Sequence, residues 1–173
     1  MRPAVVLIMG VSGVGKTTLA ESLAAVLGWP FQEGDALHSP ENVAKMAAGV
    51  ALSDADRVPW LDRVGAWIAA RRATGGGGIV TCSALKRAYR DRLLGPVGAR
   101  GADVVLIYPQ ASEAVVAARL AARRGHYMPP SLLASQFATL EPPDAAEAPL
   151  VVDAAQTAAA MLAETLSLLT ARA

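Results

Sequence analysis

Cysteine occurs once in the 173 residues, as Cys82 in an apolar run, so no intrachain disulfide can form. That usage fits a reducing compartment, and the cytoplasm is the expected location. No stretch of about 18 apolar residues runs without a charge or a breaker, which argues against a membrane-spanning helix. The N-terminus enters a strand pattern directly rather than a signal-peptide pattern. An excess of one charge is also missing. Sixteen Lys and Arg against fifteen Asp and Glu leave +1, without the basic imbalance that a nucleic-acid or membrane surface requires. Small molecules are therefore the expected partners, with no nucleic acid and no membrane. Internal repeats and disordered tracts are absent, and the length suits one compact α/β unit with no room for a second of ordinary size.

Against these absences stands Gly10-Val11-Ser12-Gly13-Val14-Gly15-Lys16-Thr17, which satisfies every position of the G-x-x-x-x-G-K-[ST] phosphate loop. It follows the apolar run Ala4-Val5-Val6-Leu7-Ile8-Met9 and precedes a helical pattern with apolar Leu19, Leu23, Val26 and Leu27. That strand-loop-helix context points to a bound nucleoside triphosphate. Glycines 10, 13 and 15 let the main chain curl round the β-phosphate, and the following helix presents its positive end. Lys16 neutralises β/γ oxygens, and the Thr17 hydroxyl can ligate Mg²⁺. The nucleotide-binding set is Gly10, Ser12, Gly13, Val14, Gly15, Lys16, Thr17 and Thr18, with ATP and Mg²⁺ as the expected cofactors.

Short apolar runs at 4–9, 29–32, 78–82, 104–108 and 150–152 alternate with helical stretches at 15–27, 40–48, 57–74, 84–94, 112–123, 130–140 and 154–171. This rhythm predicts a three-layer α/β/α fold with a five-stranded parallel sheet. Two segments carry too much polarity for crossover helices, and both follow strand C-termini, where open α/β sheets place their ligands. The stretch at about 38–66 is read as a small helical substrate cap, and that at about 119–144 as a mobile lid.

Phosphoryl transfer needs an acid near the metal and a group to orient the attacking oxygen. The run Ile79-Val80-Thr81-Cys82-Ser83 ends without an acid, whereas Glu33 and Asp35 follow the run that ends at Gln32. Strand alternation would turn both to one side, with Gly34 permitting close approach. Asp35 is assigned to the acceptor hydroxyl as general base or orienting acceptor, and Glu33, with Thr17, to Mg²⁺.

These residues, with Gly34-Asp35-Ala36-Leu37-His38, Asp56-Arg57, Pro59-Trp60-Leu61, Cys82-Ser83-Ala84-Leu85-Lys86 and Arg123-Arg124-Gly125-His126-Tyr127-Met128, resemble the gluconokinases. That family belongs to the shikimate-kinase and nucleoside-monophosphate-kinase-like group. The resemblance implies ATP-dependent phosphorylation of D-gluconate to 6-phosphogluconate, and a homodimer. Glu33 departs from it, standing where the family more often has aspartate.

Gluconate is an anionic polyol, so Arg57, whose planar fork can grip both carboxylate oxygens, is the leading cation for it. The resemblance adds His38, Lys45, Lys86, Arg90 and Gln136 to the lining, and the Ser83 strand end could offer backbone donors to substrate oxygens. Lid arginines Arg119 and Arg123 are assigned to the nucleotide, Arg123 also to catalysis; which one covers adenine and which the phosphates stays open. Trp60 reads as a packing anchor, and Asp54 as a cap for a helix entered at Arg57. The competing readings are a kinase of the same fold for another small hydroxyl acceptor such as shikimate, and a non-catalytic nucleotide-dependent switch. The absence of an Asn-Lys-x-Asp guanine motif argues against a GTP-binding switch.

Overall fold

The computed structural model describes residues 4–96, 103–122 and 130–172. Five strands form one parallel sheet: β1 (Val5–Ile8), β2 (Phe31–Gln32), β3 (Gly78–Thr81), β4 (Val104–Gln110) and β5 (Leu150–Asp153), in the order β2-β3-β1-β4-β5. The central β1 pairs Val5 with Gly78 on one side and with Val104 on the other. Seven helices surround the sheet among the described residues: α1 (Lys16–Leu27), α2 (Pro40–Ala47), α3 (Asp54–Ala73), α4 (Arg87–Leu94), α5 (Glu113–Ala122), α6 (Pro130–Thr139) and α7 (Ala158–Arg172).

Alternation along β1 builds the two cores. Val6 and Ile8 join Leu19 and Leu23 of α1 and Met161 and Leu169 of α7. Val5, Leu7 and Met9 face the other way, onto Trp60, Leu61, Val64 and Ile68 of α3 and Leu93 of α4. A strand buried on both sides has no polar position to spare, which is why its sequence is apolar throughout. The expected three-layer fold is thus observed. Val26, read as part of the apolar stripe of α1, lies instead on the surface with 58% of its area exposed.

Three helix starts differ from the sequence reading by three or four residues, and each has a local cause. Helix α3 begins at Asp54, three residues early, because Ser53 caps it: the Ser53 hydroxyl accepts the Asp56 N–H, and the Asp56 carboxylate accepts the Ser53 N–H. Asp54 is therefore the first residue of the helix rather than its cap. Helix α4 begins at Arg87, three residues late. Ala84 adopts a left-handed φ of 43° at the end of β3, and the Arg87 N–H is capped by the Glu141 carboxylate at 2.6 Å. Helix α7 starts at Ala158 rather than at 154, since Ala154 continues the sheet's bonding by donating to the Gln110 carbonyl.

Arg90 requires a correction. Expected to line the acceptor site, it is 1% exposed and engaged at all three guanidinium nitrogens. Nε and Nη2 bind the Glu147 carboxylate at 2.8 and 2.7 Å, and Nη1 donates to the Ala84 and Leu85 carbonyls. A buried cation must be paired, so Arg90 serves the fold by holding the turn after β3. Arg90→Met leaves Glu147 without its bidentate partner, and a loss of about 3–5 kcal/mol in unfolding free energy is expected. Urea denaturation measures it; a residue serving only the acceptor would leave the midpoint unchanged.

Candidate active site

The phosphate loop turns between β1 and α1 on three glycines with positive φ, 132° at Gly10, 81° at Gly13 and 104° at Gly15. Side chains are strained in that region, and here they would also collide: a Cβ on Gly13 would lie 2.7 Å from Leu120 Cγ. Val14 is buried and has only its backbone to offer a ligand. Lys16 curls back to donate to the Val11 carbonyl at 3.0 Å. Burial lowers its ammonium pKa below the usual lysine value, while Asp35 and Glu33 pull the other way. Thr17 lies on the exposed first turn of α1 and donates to Glu33 Oε2 at 2.6 Å. Thr18 is exposed on the same turn, its carbonyl accepting the Ser22 hydroxyl.

A cavity of about 120 Å³ opens beside the loop. Its lining brings together Ser12, Lys16, Asp35, His38, Arg57, Ser83 and Gln136, all singled out from the sequence. Residues from distant elements meet there for identifiable reasons. Gly34 packs directly on the end of β3, where a Cβ would fall 1.9 Å from the Thr81 carbonyl oxygen, and this contact sets Asp35 at the sheet's edge. Trp60, 2% exposed, donates from its indole to the Gly34 carbonyl at 2.7 Å and stacks on His38 with ring centroids 4.1 Å apart. Trp60 is thus a buried packing residue. Gln136 of α6 accepts the Ser12 N–H at 2.7 Å and donates to the Ser12 hydroxyl at 3.3 Å.

Arg57 differs from its neighbours. Its guanidinium makes no ion pair or hydrogen bond among the described residues and rests 5.7 Å from the Tyr89 ring centroid. The two lysines expected beside it are committed: Lys45 to Asp56 at 2.7 Å, and Lys86 to Asp54 at 2.9 Å. Both lie outside the cavity lining, so the expectation that they border the acceptor is not met in this structure. Arg119 donates to the Gln156 carbonyl at 3.0 Å, next to the loop after β5 and away from the cavity. Arg123 lies outside the described residues.

Sequence reasoning missed the apolar wall formed by Met46, Val50, Leu52 and Leu132. Local pattern gave little signal for it, because Met46 and Val50 sit in an alanine-rich stretch and α2 ends at Ala47, before Val50. Cys82, directly beneath the site, has its thiol pushed up to about 12 by burial and is no nucleophile.

The fit of Mg²⁺ can be judged from its chemistry. This ion takes hard oxygen ligands, keeps several waters, and binds through one or two protein oxygens plus phosphates. The Thr17 hydroxyl and Glu33 carboxylate at the loop's lip supply such a pair. No group of three His, Cys, Asp or Glu gathers as an all-protein cage among the described residues. The residues present fit the ion.

Burial, chiefly, lowers the His38 pKa below 6.5, opposed by Asp35 and assisted by Arg57 and Arg63. Between the folded value and 6.5 the unfolded chain binds more protons, so the stability His38 contributes is complete above pH 6.5 and declines as pH falls through that window. With only two histidines in the chain, NMR titration can resolve the midpoint, expected below 6.5. In His38→Asn the corresponding slope of stability with pH should vanish.

A family model described as an AAA domain matches residues 5–143. The gluconokinase of Gluconobacter oxydans (strain 621H) is 50% identical over 145 residues, covering 83% of this chain and 78% of that protein. A probable gluconokinase of Mus musculus is 44% identical over 158 residues, covering 84% of this chain and 86% of its own length. The crystal structure of a gluconokinase from Sinorhizobium meliloti 1021 superposes with a TM-score of 0.87 at 43% identity, over 98% of this chain and 93% of that one. On this similarity, sustained over most of its length, the chain carries the AAA-domain fold of the phosphate-loop kinases and belongs to the gluconokinase family.

Proposed function

We propose that this protein transfers the γ-phosphoryl group of ATP to a hydroxyl of D-gluconate, giving 6-phospho-D-gluconate. The observation that carries the reading is the cavity beside the phosphate loop, where Lys16, Asp35 and the uncommitted Arg57 converge. An acceptor with an anionic end and a row of hydroxyls suits that set. Arg57 takes the carboxylate, His38, Ser83 and Gln136 face the hydroxyls, and Asp35 accepts or orients the proton of the attacking one.

On the nucleotide side, the loop amides hold the phosphates and Lys16 offsets charge on the equatorial oxygens. Thr17 and Glu33 would hold Mg²⁺, which would supply positive charge against that developing on the transferred group. Burial lowers the Lys16 pKa, and an arriving polyanion would oppose that shift by favouring the charged form. Arg119 and Arg123 are assigned to the nucleotide, with residues 38–66 as cap and 119–144 as lid. Closure of those segments excludes water, so the phosphoryl group meets a sugar-acid hydroxyl in preference to a water molecule. The reading includes a cytoplasmic location, which the lone buried thiol suits, and a homodimer, which rests on the family resemblance.

Incubation with ATP, Mg²⁺ and separate acceptors, followed by ADP release, tests the acceptor. Gluconate is expected to support turnover, and turnover with shikimate alone would favour the second reading. Lys16→Ala should lower kcat roughly 10²–10³-fold, and Asp35→Asn should abolish most transfer while ATP binding persists. Arg57→Met should raise KM for gluconate about ten-fold or more, with KM for ATP unchanged.

A further inference from the structure

In many phosphate-loop proteins a strand neighbouring the loop ends in the acid that serves the metal. Here β3 ends in Thr81, followed by Cys82, and the acid comes from beyond β2. Thr81 has no exposed surface, and its hydroxyl is used twice. It accepts the Gly34 N–H at 3.2 Å and donates to Glu33 Oε1. The second oxygen of that carboxylate, Oε2, accepts the Thr17 hydroxyl at 2.6 Å. One carboxylate is therefore gripped from two sides, by the end of β3 and by the first turn of α1.

Glutamate carries an extra rotatable bond relative to aspartate and is among the side chains that lose most freedom on being fixed. A donor buried behind it removes that freedom in advance. The Thr81 hydroxyl is itself well placed to do so, because Gly34 rides against the Thr81 carbonyl too closely for any side chain. We propose that Thr81 is a positioning residue that aims Glu33 at the metal position beside Thr17. A β2 acid and a β3 hydroxyl thus share the work that one carboxylate on β3 would do alone. The inference rests on the reading of Thr17 and Glu33 as the Mg²⁺ site, and a merely structural Thr81 would do no more than satisfy the Gly34 N–H.

The test is Mn²⁺ binding, read by electron paramagnetic resonance on the intact protein with a non-hydrolysable ATP analogue, alongside thermal denaturation and KM for gluconate. Loss of a group that orients a ligand weakens metal binding roughly 10–100-fold, and Thr81→Val should fall in that range with KM for gluconate unchanged. Thr81→Ser, which keeps the hydroxyl, should restore binding. Thr81→Cys, similar in size but a weak donor, provides the comparison if the valine does not fold. Because Thr81 acts through Glu33, the double variant Thr81→Val/Glu33→Gln should bind Mn²⁺ no more weakly than Glu33→Gln alone. Additive losses, or unchanged affinity in Thr81→Val while Glu33→Gln is weakened, would overturn the proposal and leave the metal assignment intact. Unchanged affinity in Glu33→Gln would instead remove the metal assignment on which it stands.

Discussion

Three left-handed glycines between β1 and α1 shape the phosphate loop, and contacts from the segment after β3 and from α5, α6 and α7 hold that turn in place. The Gly10 N–H donates to the Ser83 carbonyl at 3.1 Å, tying the loop to the strand end that borders the acceptor cavity. Gly13 lies against Leu120 of α5, and a Cβ on Gly15 would lie 3.3 Å from the Met161 methyl of α7. Residues from more than one hundred positions downstream thus set the shape of a loop near the start of the chain. A nest of amides binds an anion only if it is rigid beforehand, since ordering it at the moment of binding would consume the gain.

Charge is distributed by the same logic. Two cations beside the start of α3 have a carboxylate that fixes them: Lys45 completes the Ser53–Asp56 cap, and Lys86 meets Asp54, which also accepts the Tyr89 hydroxyl. These pairs are largely exposed and contribute modestly to stability, but they settle where the first turn of α3 lies. Arg57, on that turn, is held through its stem and the Tyr89 ring rather than through its donors. Its hydrogen-bonding capacity stays available to a ligand. Arg90 is the opposite case, with every nitrogen engaged in the interior; its contribution is to clamp the strained turn at Ala84 that presents Ser83 and Leu85 to the cavity.

The contrast between Arg57 and Arg90 also shows what the sequence discloses and what it hides. The phosphate loop and the five parallel strands were legible because each depends on neighbours within a few residues: a glycine spacing, an apolar run. The strand alternation expected to turn Glu33 and Asp35 to one side does not hold, because β2 ends at Gln32 and Gly34–Leu37 forms a 3-10 turn, which leaves Asp35 in the cavity lining and Glu33 against Thr17. Arg90 was not legible, because its partner Glu147 lies 57 positions away and nothing local distinguishes a buried arginine from one facing a ligand. The start of α4 depends similarly on Glu141, 54 positions from the N–H it caps. The start of α3 was legible in principle, since Ser53 and Asp56 have capping-box spacing; Asp54, an equally good capping residue one position on, competes with Ser53 for that role in the sequence. Val26 shows the limit of periodicity, which identifies a stripe but not its edge.

The cavity joins two ligands' concerns in one wall. Helix α6 lines it with Leu132, Ser135 and Thr139, and the same helix reaches the phosphate loop through Gln136, whose carboxamide both accepts from and donates to Ser12. A helix moves as a unit, so displacing it at the loop displaces this wall of the cavity. Across the cavity, Met46 and Val50 present apolar surface toward that wall, with 39% and 52% of their areas exposed. Apolar surface gains free energy when water leaves it, and a polar floor of Lys16, Asp35 and Arg57 gains nothing until an anion and a hydroxyl replace its water. Apolar rim and polar floor thus favour the same event, replacement of the cavity's water by a ligand that carries both charge and hydroxyls.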